Sequence, residues 1–143
     1  MTSKIIRKTL EEAQSVQNAE IDFSDKNLIH LDEMPRLWTM KNVTRLTLSH
    51  NKITELPAAM ANLENMEILN LFNNALEEVP VSISGMPKLR ILNLGMNRLT
   101  TLPRGFGSFA ALEVLDLSYN NLNEESLPGN FWIMHTLRAL YLR

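Results

Sequence analysis

Few residues of this chain are of the types and spacing that chemistry requires. Gly105, Gly107 and Ala110 form a G-x-G-x-x-A string, which can hold a dinucleotide phosphate where a strand leads into a long helix. Here the string follows a proline-containing segment instead of a strand, and Phe106 and Phe109 within it are spaced like core residues. We therefore expect no nucleotide cofactor at this string.

The remaining candidates for chemistry are isolated. His30, His50 and His135 lack the spacing of metal ligands, and the chain has no cysteine. The pairs Glu77–Glu78 and Glu124–Glu125 are typical of solvated surface. No serine lies in a nucleophile motif. The sequence predicts no enzyme, no cofactor and no metal.

The composition of the chain argues against several further classes of protein. The 143 residues are 45% hydrophobic, which predicts a packed core. A formal net charge of -2 provides no general attraction to nucleic acid. No apolar run approaches the ~18 residues that span a bilayer. We expect a cytoplasmic protein with neither nucleic-acid binding nor membrane insertion.

A repeat dominates the chain from residue 43. Its first copy reads Val43-x-x-Leu46-x-Leu48-x-x-Asn51-x-Ile53, and further copies begin at Met66, Leu89, Leu112 and Leu137. The asparagine recurs at Asn51, Asn74, Asn97 and Asn120. This is the signature of leucine-rich repeats. We expect these asparagines to be structural, with their amides bonded to backbone groups at each turn.

The spacing also predicts the elements of each repeat. The Leu-x-Leu half fits a strand with inward leucines, and the following Leu-Pro or Val-Pro half fits a short helical turn. We predict an α/β leucine-rich-repeat solenoid, with a curved parallel sheet on its concave face and short helical, 3-10 and extended segments on its convex face. Residues 1–143 are expected to form a single domain, with a helix and a degenerate repeat in 1–42, four clear repeats in 43–136 and a fifth begun in 137–143.

The two ends of the array are expected to differ. Ser3 can cap a helix whose Ile6, Leu10 and Ala13 share one face, so this helix is expected to cover the N-terminal end of the core. At the other end, the Leu137–Leu142 strand has no covering segment in this sequence. We expect a monomer that could associate through this strand edge.

The outward strand positions predict a protein-binding surface. Apolar and aromatic residues are frequent there for a solvated sheet, which is typical of interaction sites. The flanking column of Ser49, Phe72, Gly95, Ser118 and Arg143 is expected to face the same side. The partner-binding residues that we predict on the concave face are Arg45, Thr47, Asn70, Phe72, Asn93, Met96, Asp116, Tyr119, Tyr141 and Arg143.

Residues outside the repeat consensus form distinctive runs as well. They include Leu48-Ser49-His50-Asn51-Lys52, Leu92-Asn93-Leu94-Gly95-Met96-Asn97-Arg98-Leu99 and Leu137-Arg138-Ala139-Leu140-Tyr141-Leu142. With these runs the chain resembles the Ras suppressor protein family over nearly its whole length, least closely before residue 43. Members of that family are longer, so the resemblance implies a C-terminally short form.

The resemblance implies an adaptor at cell–matrix adhesions. The family binds the LIM-domain adaptor PINCH through its concave surface, joins the integrin-linked kinase assembly, and opposes Ras-driven transformation. Asp116 and Tyr141 match concave positions that the family uses for the LIM domain. An alternative is a scaffold that binds a small GTPase or its effector directly.

Overall fold

The computed structural model describes the backbone of residues 2–143 and the side chains of residues 4–143. Helix α1 spans Thr2–Ala13 and is followed by six short strands. The strands are β1 (Ala19–Asp22), β2 (Val43–Thr47), β3 (Ile68–Asn70), β4 (Ile91–Asn93), β5 (Val114–Asp116) and β6 (Ala139–Tyr141).

The six strands form one parallel sheet in the order in which they occur in the chain. Leu46 pairs with Leu69, which pairs with Leu92, and the next copies continue the row. These leucines are buried through β5 because strand alternation directs them into the core. The predicted solenoid is confirmed.

The convex side consists of 3-10 turns, as the proline positions predict. Turns at Ala58–Asn62, Val81–Gly85 and Gly129–Ile133 each begin directly after a proline in extended conformation. The fixed φ of proline suits the residue before a helical turn, and its missing N–H costs nothing there. Other 3-10 turns span Leu31–Glu33, Leu37–Thr39, Phe106–Ser108 and Glu124–Ser126.

Helix α1 covers the N-terminal end of the core. Ile6, Leu10 and Ala13 are buried, and they join the hydrophobic cluster that continues through the repeats. The helix begins at Thr2, and the predicted Ser3 cap concerns a side chain that lies outside the described ones. Asn42 ties the end of the helix to the next repeat by donating from Nδ2 to the carbonyls of Ala13 and Val16, both at 2.8 Å.

The last strand is covered less well than the strands before it. Leu140 and Leu142 are 37% and 48% exposed, whereas their counterparts Leu115 and Leu117 are 0% and 2% exposed. Leu140 in β6 and Leu142 directly after it are therefore partly exposed to solvent.

Candidate functional site

Parallel pairing brings one outward residue from each of five strands into a single row. Cα pairing joins Thr47 to Asn70, Asn70 to Asn93, Asn93 to Asp116, and Asp116 to Tyr141. We call these five residues the concave ribbon. Because neighbouring parallel strands lie about 4.8 Å apart, the ribbon is a continuous surface that spans β2 to β6.

A second outward row runs beside the concave ribbon. Arg45 pairs with Ile68, and the row continues through Ile91 and Val114 to Ala139. The three middle side chains are half-buried, so part of each apolar surface remains accessible. Arg45 closes one end of the row by an ion pair of 3.2 Å between its Nε and Glu20 Oε1.

Three members of the concave ribbon also form hydrogen bonds with the backbone of the turn that follows their strand. The Oδ1 atoms of Asn70, Asn93 and Asp116 accept hydrogen bonds from the backbone N–H two residues later, at 2.9–3.0 Å. Such bonds are typical of Asx turns, and here they end β3, β4 and β5 in the same way. The polar side chains of the ribbon are therefore held in fixed positions before any partner binds.

Asp22 makes the same turn at the end of β1. Its Oδ1 accepts from both Oγ and the backbone N–H of Ser24, at 2.6 and 2.9 Å. These two hydrogen bonds, the side-chain one first, hold the pKa of the Asp22 carboxyl below its ordinary value of 3.8.

The flanking column beyond the ribbon departs from the expectation. Ser49, Gly95 and Ser118 are buried rather than available on the concave face. Phe72 remains half-buried, and its ring covers Gly95 so closely that a β-carbon there would lie 3.0 Å from Cδ1. The sequence alternation did not predict this, because the chain has left the strand conformation at these positions.

The next position adopts a left-handed backbone in every repeat. His50, Asn73, Met96 and Tyr119 all have φ between 52° and 60°. We call them the left-handed column. Asn and His tolerate this region, but bulky side chains pay a steric cost of roughly 1–2 kcal/mol. Met96 and Tyr119 are nevertheless 42% and 57% exposed, so the strain holds two large apolar groups at the border of the concave face.

Two neighbours in the left-handed column, His50 and Asn73, contact each other. Nδ2 of Asn73 lies 2.9 Å from Nδ1 of His50, and the His50 and Phe72 rings meet edge to face at 5.7 Å. Such contacts between adjacent repeats keep the border of the concave face ordered.

The asparagines at Asn51, Asn74, Asn97 and Asn120 form the inner asparagine column. In Asn97, Oδ1 accepts from the Leu76 N–H at 3.0 Å, while Nδ2 lies 3.0–3.1 Å from the carbonyls of Leu71, Leu94 and Gly95. The other three asparagines make the equivalent bonds to their own and the preceding repeat. Their amides are thus used by the backbone.

A row of side chains with alternating charge precedes the strands, and it was not among the features predicted from the sequence. Arg90 lies 3.6 Å from Glu67 and 3.8 Å from Glu113, and Glu113 lies 3.6 Å from Arg138. Their recurrence at the repeat spacing with alternating sign was a signal in the sequence. Exposed pairs of this kind contribute little stability each, but they give this edge of the sheet a fixed charge pattern.

The glycine string and the possible metal ligands considered from the sequence do not form a site among the described side chains. Gly105 has φ of 80° and starts the 3-10 turn Phe106–Ser108, in which Phe106 is buried in the core. Within the described part of the chain, no three His, Cys, Asp or Glu side chains are grouped so that they could hold a metal ion. Among residues 2–143, no helix has the length and apolar character needed to cross a membrane.

Stacked parallel strands, an exposed row of aligned side chains and a column of backbone-bonding asparagines define a leucine-rich repeat protein. The family described as "Leucine-rich repeat region" matches residues 16–143. The chain therefore belongs to the leucine-rich repeat family. Proteins of this class typically act as protein-interaction modules.

Within this family, the chain is most informatively compared with curated proteins of high sequence identity. The chain is 61% identical over 140 residues to Ras suppressor protein 1 of Homo sapiens and 60% identical to that of Bos taurus, in both cases over 98% of this chain and 50% of the relative. The predicted resemblance to the Ras suppressor protein family is confirmed. The chain spans about half the length of these curated relatives.

A solved structure supports the fold independently. A leucine-rich repeat protein of Leptospira interrogans superposes with a TM-score of 0.75 at 28% sequence identity. The match covers 94% of this chain and 38% of that chain.

Proposed function

We propose that this protein is a non-enzymatic adaptor that binds the LIM-domain adaptor PINCH through its concave face. By this contact it links integrin-linked kinase complexes to Ras signal transduction, in the cytoplasm at cell–matrix adhesions. The resemblance to the Ras suppressor protein family suggests the partner. The observation that carries the proposal is the concave ribbon, which aligns outward side chains from five neighbouring strands.

The residue types around the ribbon suit a protein partner. Tyr141 is 54% exposed, and it lies beside Asp116 in the strand pairing. Met96 and Tyr119 add two exposed apolar groups at the border, and Arg143 is exposed near Tyr119. Aromatic groups and arginine are the residues that most often anchor interfaces. Apolar anchors around a single carboxylate would give both affinity and orientation.

Rigidity also supports this role. The ribbon side chains Asn70, Asn93 and Asp116 are already bonded to their own turns. A partner that docks on them therefore orders few additional groups, which lowers the entropic cost of association.

The test uses a variant that removes only charge. Asp116→Asn keeps an Oδ1 acceptor for the Ser118 N–H, and Asn93 makes this same bond one repeat earlier. The variant should fold like the parent. If the Asp116 carboxylate faces a PINCH cation, we expect binding to the PINCH LIM domains, measured by calorimetry, to weaken about tenfold.

Glu125→Gln is the matched control, because Glu125 is exposed in the 3-10 turn Glu124–Ser126 and away from the strands. It should leave the affinity unchanged. LIM binding that is identical in the parent, Asp116→Asn and a Tyr141→Ala variant would contradict the proposed surface. Binding of a GTP-loaded Ras protein without any LIM binding would favour the alternative of a direct GTPase scaffold.

A further inference from the structure

A groove lies between helix α1 and the segment 26–36. Its volume is about 670 Å³, which is within the range of sites that hold ligands or side-chain anchors. No residue of β1 to β6 lines it. We call it the basic groove, for the charges described below.

The floor of the basic groove is apolar. Ile6 and Leu10 from α1 face Met34 across it, and all three belong to the hydrophobic core. Leu28 is half-buried and Ile29 is 42% exposed. An apolar guest placed here would extend the core that the helix covers, so burial of apolar area favours binding.

The rim of the groove is cationic. Arg7 comes from α1, Lys26 from the loop after β1, and Arg36 from the segment before the 3-10 turn Leu37–Thr39. Among the lining residues only Glu33 carries a carboxylate, although the whole chain has a net charge of -2. Arg36 lies 3.9 Å from Glu11, and both of these side chains are about half exposed. The lining therefore carries more positive than negative charge, although Glu11 pairs with Arg36 and Asp22 attracts Lys26.

We propose that the basic groove docks a short acidic amphipathic helix of a protein partner. Leucine-like anchors on one face of such a helix would fill the apolar floor, while glutamates beside them would meet the cations. Three cations that come from three separate elements match several carboxylates along a peptide, whereas a fatty acid brings one. None of the concave-ribbon residues lines the groove, so a partner in the groove and a partner on the ribbon would contact different residues.

The test uses the full chain and a defined probe. The probe is a fluorescein-labelled, end-blocked peptide of about 14 residues, with leucines at i, i+3, i+4 and i+7 and glutamates at most other positions. A second peptide carries lysine in place of each glutamate. Anisotropy at low salt should show saturable binding of the acidic peptide only, and the affinity should fall as salt is added.

Paired variants locate the site. Arg7→Glu combined with Lys26→Glu should weaken binding at least tenfold. The control, Lys4→Glu with Lys8→Glu, reverses two charges on the same helix at exposed positions that do not line the groove. It should weaken binding less than threefold by the general field alone.

A second pair tests the apolar floor without disturbing the core. Ile29→Asp should abolish measurable binding, whereas Ile5→Asp should leave it intact, since Ile5 is 51% exposed but does not line the groove. The proposal is overturned if the acidic peptide fails to bind, if the lysine peptide binds equally, or if both members of either pair behave alike. It is also overturned if dodecanoate binds and the peptide does not. Unchanged peptide binding by Asp116→Asn would separate this site from the concave one.

Discussion

Each asparagine of the inner column joins two consecutive repeats, and Asn97 illustrates the cost of losing one. Asn97→Ala would leave the Leu76 N–H without its side-chain partner in a buried setting, while the Leu71 carbonyl would keep only the bond from Asn74 Nδ2. We expect a loss of about 3 kcal/mol in the free energy of unfolding, measured by urea denaturation. Asn62→Ala, at an exposed position in a 3-10 turn, should change it by less than about 0.5 kcal/mol. Equal effects of the two variants would show that the column is not structural.

Met96 combines a strained left-handed backbone with an exposed apolar side chain. Its φ is 52°, and Asn73 adopts the same conformation one repeat earlier. Met96→Asn should therefore be more stable than Met96→Ala by about 1 kcal/mol, because alanine keeps a β-carbon but lacks asparagine's tolerance of this region. Thermal denaturation of the two variants measures the difference. Identical stabilities would mean that the backbone relaxes away from the left-handed region.

Asp22 predicts a pH dependence of stability. Its pKa is lowered in the folded chain, so its contribution to stability is present above pH 3.8 and is lost as the pH falls through the folded-state pKa. Ser24→Ala removes the larger cause and should raise the pKa, as read from an NMR titration of the Asp22 carboxyl carbon. Ser82→Ala, at an exposed position on the convex side, should not. A pKa unmoved by Ser24→Ala would contradict this account.

The sequence predicted the roles of some residues but not of others. Asn97 repeats at fixed spacing, and an inward amide at a turn has a clear physical use. Met96 gave no such signal, because methionine has no preference for positive φ. Gly95 was placed on the concave face by strand alternation, which stops applying once the chain leaves β4.

At the level of elements, β6 is the strand with the least cover. Leu140 and Leu142 are partly exposed, and no seventh strand pairs with β6 among residues 2–143. We expect the amides of β6 to exchange with solvent fastest among the six strands in dilute protein. Hydrogen exchange followed by NMR measures this. Protection of β6 equal to that of β4 in a monomer would contradict it, whereas protection that rises with concentration would support association through this edge.

Helix α1 and the 3-10 turns were predicted from different features of the sequence. The helix followed from the spacing of Ile6, Leu10 and Ala13, and the turns followed from proline. The start of the helix could not be predicted as well, because both Thr2 and Ser3 are suitable residues for a helix N-terminus. The basic groove depends on how the segment 26–36 folds against α1, and the degenerate repeat predicted in 1–42 does not specify that packing.

For the whole molecule, a single domain across 1–143 remains a prediction. Trp38 is buried near the N-terminal end, where its Nε1 donates to the Leu31 carbonyl at 3.1 Å. Leu115 lies in the core of β5. If the array unfolds as one unit, the NMR signals of the Trp38 indole and the Leu115 amide should disappear at the same urea concentration. Separate midpoints would divide the chain into two units.

The order of strands in the sheet is the order of strands in the chain, and this has a consequence for how such a protein lengthens. Each strand hydrogen-bonds only to the strands directly before and after it. Duplication of one 23-residue segment would therefore create one new interface, between the two copies, with the same strand pairing as the present ones and without breaking any of them. Gene segments of this size can accumulate or be lost in whole copies, and the binding face grows or shrinks by one strand with each event.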